Sequence, residues 1–206
     1  MGRGFLFTFE GIDGCGKSTQ INLLSQALTD DGISISVFRE PGGTRIAEAI
    51  RQVLLNPRNM DMSYESEALL MAASRAQLLR ETVIPNLESG KVVLCDRYVD
   101  SSLAYQGSGR GLPLEWLRAI NRLAFESAVP DITFLLDIAV ESAMNRLGTG
   151  LRDRMESSGT DFLERVRNGF SALAEENPDR YIVLNGEMAQ ELLVEKILSH
   201  VRKLIL

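Results

Sequence analysis

The chain of 206 residues carries only two cysteines and a single histidine. Cys15 and Cys95 fall at neither a metal-ligand nor a redox spacing, so a disulfide scaffold and a thiolate metal site are excluded as organising features. Both read as small buried thiols in a reducing cytosol. His200 sits in a C-terminal amphipathic segment and reads as part of a solvated helix, which removes histidine-based acid–base chemistry. No apolar run approaches the roughly 20 residues that span a bilayer, so no membrane partner is expected. The formal net charge of −6 lacks the basic excess that coats nucleic acid. Lysine is scarce, with 4 among 22 cations against 18 arginines. Positive charge is therefore mostly guanidinium, whose planar fork suits bidentate phosphate contacts. The opening residues run straight into an apolar strand, giving an expectation of no secretory leader and a cytoplasmic location. Internal repeats and low-complexity stretches are missing too, and so is the Asn-Lys-x-Asp pattern that reads guanine.

What is present is an ordinary globular composition, 45% hydrophobic and 24% charged, sized for a single α/β domain over 1–206. Phe5 to Phe9 is an unbroken apolar run, followed by Glu10-Gly11-Ile12-Asp13-Gly14-Cys15-Gly16-Lys17-Ser18-Thr19. Residues 11 to 18 fill every fixed position of G-x-x-x-x-G-K-[ST]. Gly11, Gly14 and Gly16 let the backbone turn tightly and approach a polyphosphate. The turn's amides form an anion nest, and a helix starting near Lys17 aims its positive end at the same oxygens. In such a loop Lys17 reaches the β- and γ-phosphates and the Ser18 hydroxyl ligates Mg²⁺. Ile21, Leu23, Leu24, Ala27 and Leu28 follow at helical spacing, so the loop lies between a strand and a helix and binds a nucleoside triphosphate.

Strand-like runs at 5–9, 33–38, 91–95, 132–136 and 181–184 alternate with helical patterns. The helices are expected at 17–30, 44–55, 64–88, about 101–107, 114–127, 140–147, 160–176 and 188–204. Strand–helix alternation predicts a parallel sheet covered on both faces, with ligands at the carboxyl ends of its strands. Those ends carry polar clusters: Arg39-Glu40-Pro41-Gly42-Gly43-Thr44, then Asp96-Arg97-Tyr98, then Asp137. Asp96 follows four apolar residues and suits a Mg²⁺ held directly or through water. Strand alternation turns Arg97 to the opposite side, where it can hold a second phosphate. Arg75 lies four residues after Met71 on an otherwise apolar helical face and needs an anionic or hydrogen-bonding partner. The segment 148–159, rich in Gly and Arg, fits a mobile flap and an ordinary surface loop equally well.

Taken together these segments resemble the bacterial thymidylate kinase family over nearly the whole chain. The resemblance rests on the loop at 9–19, Arg39 to Thr44, Ala73-Ser74-Arg75-Ala76-Gln77, Asp96-Arg97-Tyr98, Ser101 to Gly107 and Asp153-Arg154-Met155-Glu156, in that order. It implies a three-layer P-loop NTPase fold with a five-stranded parallel sheet and a small LID over about 148–159. It also implies a homodimer that transfers the ATP γ-phosphate to dTMP with Mg²⁺, giving dTDP on the way to dTTP. Residues 11–19 would then bind ATP, with Ser18 and Asp96 at the metal. Asp13 would lie near the deoxyribose 3′-hydroxyl, and Arg97 would hold the monophosphate with Arg51 and Glu40 close by. Arg75 would read the thymine edge with Ser102 and Gln106, and Tyr105 would line the sugar and crowd a 2′-hydroxyl. Lys17, Arg97 and Arg154 are the expected catalytic groups, with Arg152 in reserve and Arg146 near the adenine. Met71 stands where the family usually has a stacking phenylalanine. Gly14 stands where some members place an arginine, so the catalytic arginine is expected in the LID. The rival readings are another nucleoside monophosphate kinase or a small-metabolite kinase on the same fold, and a nucleotide-switched regulatory or assembly ATPase or GTPase with no small acceptor.

Overall fold

Five short strands make one parallel sheet in a computed structural model that describes residues 3–148, 154 and 159–205. They are β1 (Leu6–Glu10), β2 (Ile35–Arg39), β3 (Val92–Asp96), β4 (Ile132–Asp137) and β5 (Tyr181–Asn185), ordered β2-β3-β1-β4-β5. The central strand β1 is buried at every position, which explains why it reads as a continuous apolar run with no alternation. Its register pairs Phe9 with Asp96 on one side and with Phe134 on the other. The first chemistry-bearing residues of three strands therefore emerge at one end of the sheet. β2 is an edge strand and is only half-covered, with Val37 exposed, so the expectation of burial on both faces fails there.

Helices α1 (Lys17–Asp30), α2 (Arg45–Leu55), α3 (Tyr64–Leu78), α4 (Ile84–Glu88), α5 (Val99–Ser102), α6 (Leu114–Ser127), α7 (Val140–Leu147), α8 (Thr160–Glu176) and α9 (Gln190–Ile205) surround the sheet. Two hydrophobic clusters fill the layers. The larger joins Phe7, Phe9 and Phe134 to Leu24, Phe162 and Ile197, and the smaller joins Leu6, Val93 and Cys95 to Leu79 and Val83.

The helix expected over 64–88 is interrupted by a π turn, Leu79–Val83, between α3 and α4. Pro85 supplies the reason: it has no N–H, and its ring collides with the carbonyl four residues back, so the ladder widens ahead of it. The helix expected near 101–107 is α5 continued by a second π segment, Leu103–Gly109. His200 is half-buried with its ring edge-on to Phe134, not solvated as expected. Among the described residues, no helix is long and apolar enough to cross a membrane.

Candidate active site

Between β1 and α1 the backbone passes through left-handed or positive-φ glycines at 11, 14 and 16. A Cβ on Gly14 would lie 2.5 Å from the Ala143 carbonyl oxygen, so the residue type there is fixed by space as well as by torsion. Gly16 is the N-cap of α1 and offers no side-chain acceptor, so the first amides of the helix stay available to an anion. Lys17 folds back over the loop, its Nζ donating to Gly11 O at 3.0 Å and Ile12 O at 3.1 Å. Ser18 Oγ donates to Asp96 Oδ2 at 2.8 Å, which brings together the two oxygen donors expected at the metal. No cluster of three acidic, thiol or imidazole ligands occurs among the described residues. A pair of hard oxygen donors beside a phosphate nest fits Mg²⁺, an ion that keeps several waters and shares its shell with phosphate oxygens.

Arg97 reaches the site by a route the strand pattern did not suggest. β3 ends at Asp96, and Arg97 takes φ 71°, a conformation costing a non-glycine residue about 1–2 kcal/mol. It is this turn, and not strand alternation, that directs the guanidinium across the loop. Nη2 donates to Asp13 Oδ1 at 2.6 Å and to the Tyr105 hydroxyl at 3.0 Å, and Nη1 donates to Gly11 O and Ser101 Oγ. Burial acts to raise the Asp13 carboxyl, but Arg97 and Lys17 outweigh it and bring it down to about 2.

Arg75 is 2% exposed and is held on every side. Nε donates to Glu40 Oε2 at 2.7 Å, Nη1 to Ser102 Oγ and to Asn121 Oδ1, and Nη2 to the Tyr98 carbonyl. The partner its apolar setting demanded is thus Glu40, backed by three neutral acceptors. Burial raises the Glu40 carboxyl despite Arg75, and its Oε1 finds no hydrogen-bond partner among the described residues.

Among the described residues, two sizeable cavities open at this end of the sheet. One, about 790 Å³, is lined by Gly14 to Gln20 together with Asp96, Arg146 and Met188. The other is narrower and is lined by Met71, Arg75, Ser102, Tyr105 and Gln106. Asp13, Glu40, Arg51 and Arg97 line both. The larger falls in the range of small-ligand sites, and the smaller has an apolar wall with a few convergent polar groups.

Arg154 borders neither cavity. It is 4% exposed, with Nε donating to Leu54 O at 2.8 Å and Nη2 2.6 Å from Glu67 Oε2. Asp137 is likewise elsewhere, in a two-point ion pair with Arg167. Arg152, Asp153, Met155 and Glu156, and with them most of the expected LID, lie outside the described residues. Sequence reasoning missed Glu67, which is fully buried and accepts from Gln106 at 2.8 Å, and Asn121. Both had a signal: Glu67, Met71 and Arg75 repeat every four residues on α3, and Asn121 follows buried Leu117 by four on α6.

The family model described as thymidylate kinase matches residues 9–197. The chain is similar to the thymidylate kinase of Desulforudis audaxviator (strain MP104C), 48% identical over 98% of this chain and 92% of that one. It is 46% identical to the thymidylate kinase of Thermoanaerobacter sp. (strain X514) over 93% of both chains. The Chlorobaculum tepidum thymidylate kinase is 44% identical, over 95% of this chain and 96% of the relative. With a phosphate loop at the central strand, a second arginine-walled cavity joined to it, and likeness along almost its entire length, the chain belongs to the thymidylate kinase family.

Proposed function

We infer that the protein transfers the γ-phosphate of ATP to dTMP, giving dTDP and ADP. The observation that carries this reading is the shared wall: two cavities, one built for a polyphosphate, meet at Asp13, Glu40, Arg51 and Arg97. Phosphoryl transfer has a loose transition state with charge on the equatorial oxygens, so alignment and electrostatics supply most of the catalysis. The attacking atom is already a phosphate oxygen, and no strong general base is required.

In this reading residues 11–19 and Lys17 hold ATP in the larger cavity. Ser18 and Asp96 hold Mg²⁺, which when bound neutralises charge on the β- and γ-phosphate oxygens. Arg97 grips the dTMP phosphate with Arg51 and Glu40 beside it. Arg75, Ser102 and Gln106 meet the thymine edge, Met71 lies against its face, and Asp13 and Tyr105 flank the sugar. Arg75 and Arg97 are pre-oriented by protein acceptors, which supports a site set for its ligand before binding. Arg154 joins the transferring group only by leaving Glu67. Arg110, 3.5 Å from that carboxylate, supports the exchange because a cation stays behind. The segment 148–159 acts as the LID that carries it.

The enzyme works in the cytoplasm as a homodimer. Exposed Ile46 and Val53 on α2 and Leu69 on α3 support an apolar contact face, and light scattering at twice the chain mass is the expected result. An acceptor panel of dTMP, dUMP, dCMP, dGMP and AMP with Mg·ATP tests the reaction itself. Turnover led by dTMP is expected, and a preference for AMP or dGMP would overturn the assignment.

A further inference from the structure

Glu10 ends the central strand, is fully buried, and borders neither cavity. Its carboxyl lies in the middle of the core, where burial and the nearby Asp100 push it up to about 8 and specific donors hold it in place. Oε1 accepts from the backbone amides of Tyr98 at 2.7 Å and Ser101 at 3.3 Å. Oε2 accepts from the Ser101 hydroxyl at 2.6 Å. Tyr98 is the N-cap residue of α5 and provides no side-chain cap, so Glu10 performs from a neighbouring strand the task a capping side chain usually does. On the other side of the turn, the Arg97 amide donates to Phe9 O at 3.0 Å. Both flanks of the left-handed residue are thereby tied to consecutive residues of β1.

The side chain is tied as well. Ser101 Oγ donates to Glu10 and accepts from Arg97 Nη1 at 3.1 Å. A chain of hydrogen bonds thus runs from the core carboxylate through one hydroxyl to the guanidinium at the shared wall. We propose that Glu10 is the positioning residue for Arg97: it holds the β3–α5 turn and, through Ser101, the plane of the guanidinium that receives the acceptor phosphate. The proposal rests on the reading of Arg97 as the phosphate grip. It accounts for a positive φ held at Arg97, where the sequence supplies no glycine.

The test compares dTMP with thymidine, which differ by the phosphate alone, in calorimetric titrations of the full chain. Three variants are used: Glu10→Gln, Ser101→Ala and Arg97→Ala. Glu10→Gln keeps an acceptor for the two amides and loses the acceptor for the Ser101 hydroxyl. It is expected to weaken dTMP about two- to tenfold, the net worth of an intramolecular hydrogen bond. Thymidine and ATP affinities should stay at native values even where the melting temperature falls, a split that a purely structural role would not produce. Ser101→Ala should match it, and Glu10→Gln in an Arg97→Ala background should add nothing further. If Arg97→Ala loses the preference for dTMP over thymidine while the Glu10 and Ser101 variants keep it, Glu10's role is overturned and the grip stands. If Arg97→Ala keeps the preference, the reading of Arg97 fails and the proposal fails with it. A loss of thymidine and ATP binding in step with dTMP would reduce Glu10 to a fold-stabilising residue.

Discussion

Arg97 and Asp13 form a 2.6 Å ion pair at the junction of the two cavities, so an acceptor phosphate placed as proposed would share a guanidinium that is already engaged. Five donors in one plane make sharing possible, which a lysine could not offer. The pair has a measurable consequence in acid. Because the folded-state Asp13 carboxyl is held at about 2, below its ordinary value near 3.8, it contributes stability that is complete above about pH 4 and is lost as pH falls towards 2. In urea denaturation at a series of pH values, native protein minus Asp13→Asn should show that loss in that window; a flat difference would contradict the pairing. Met71 tests the opposite wall. It lies against the narrower cavity, where a thioether contributes less directional contact than an aromatic ring. Met71→Phe is expected to lower KM for dTMP about two- to tenfold at similar kcat, the range of an added stacking contact. A raised KM would mean the ring does not fit. At this scale the sequence was most informative where residue type is tied to backbone space, as at Gly14. It misled at Arg97, because alternation holds only inside a strand and β3 stops one residue earlier.

At the scale of elements, the strand and helix pattern was legible nearly throughout, since buried parallel strands read as apolar runs and the helices carry one apolar face. What the pattern could not show was the type of helix. Both π segments, Leu79–Val83 and Leu103–Gly109, keep helical spacing of apolar residues while widening the turn. The second matters for the site, because it carries Tyr105 and Gln106 against the cavity and Gly169 of α8 lets it approach closely: a Cβ there would meet Ser108 Oγ at 2.4 Å. Glu67 on α3 links this segment to Arg154 through Gln106 and the 2.6 Å ion pair. If Arg154 leaves that pair to meet the transferring phosphoryl group, Arg154→Ala should cut kcat by at least about a hundredfold with ATP affinity little changed. A drop of only a few-fold, accompanied by a lower melting temperature, would assign Arg154 to the Glu67 ion pair alone. No spacing rule predicts that pair, because its partners lie 87 residues apart and meet only through the tertiary fold.

For the molecule as a whole, the sheet order β2-β3-β1-β4-β5 sets the chemistry by bringing the ends of β1 and β3 side by side. One strand delivers the phosphate loop and the next delivers Asp96 and Arg97, so in the proposed reaction donor and acceptor anions would face each other across a single strand spacing. A net charge of −6 does not oppose this, because the cations that matter are gathered at that edge: Lys17, Arg39, Arg51, Arg97 and Arg146 all line the larger cavity. The proposed reaction therefore requires a direct hand-over between two bound anions, with water excluded. Following the label from ATP carrying a radioactive γ-phosphate, with and without dTMP, tests that requirement most directly. The expected result is one labelled dTDP per ADP formed and near silence without dTMP; label released as inorganic phosphate at the same rate whether or not dTMP is present would contradict it.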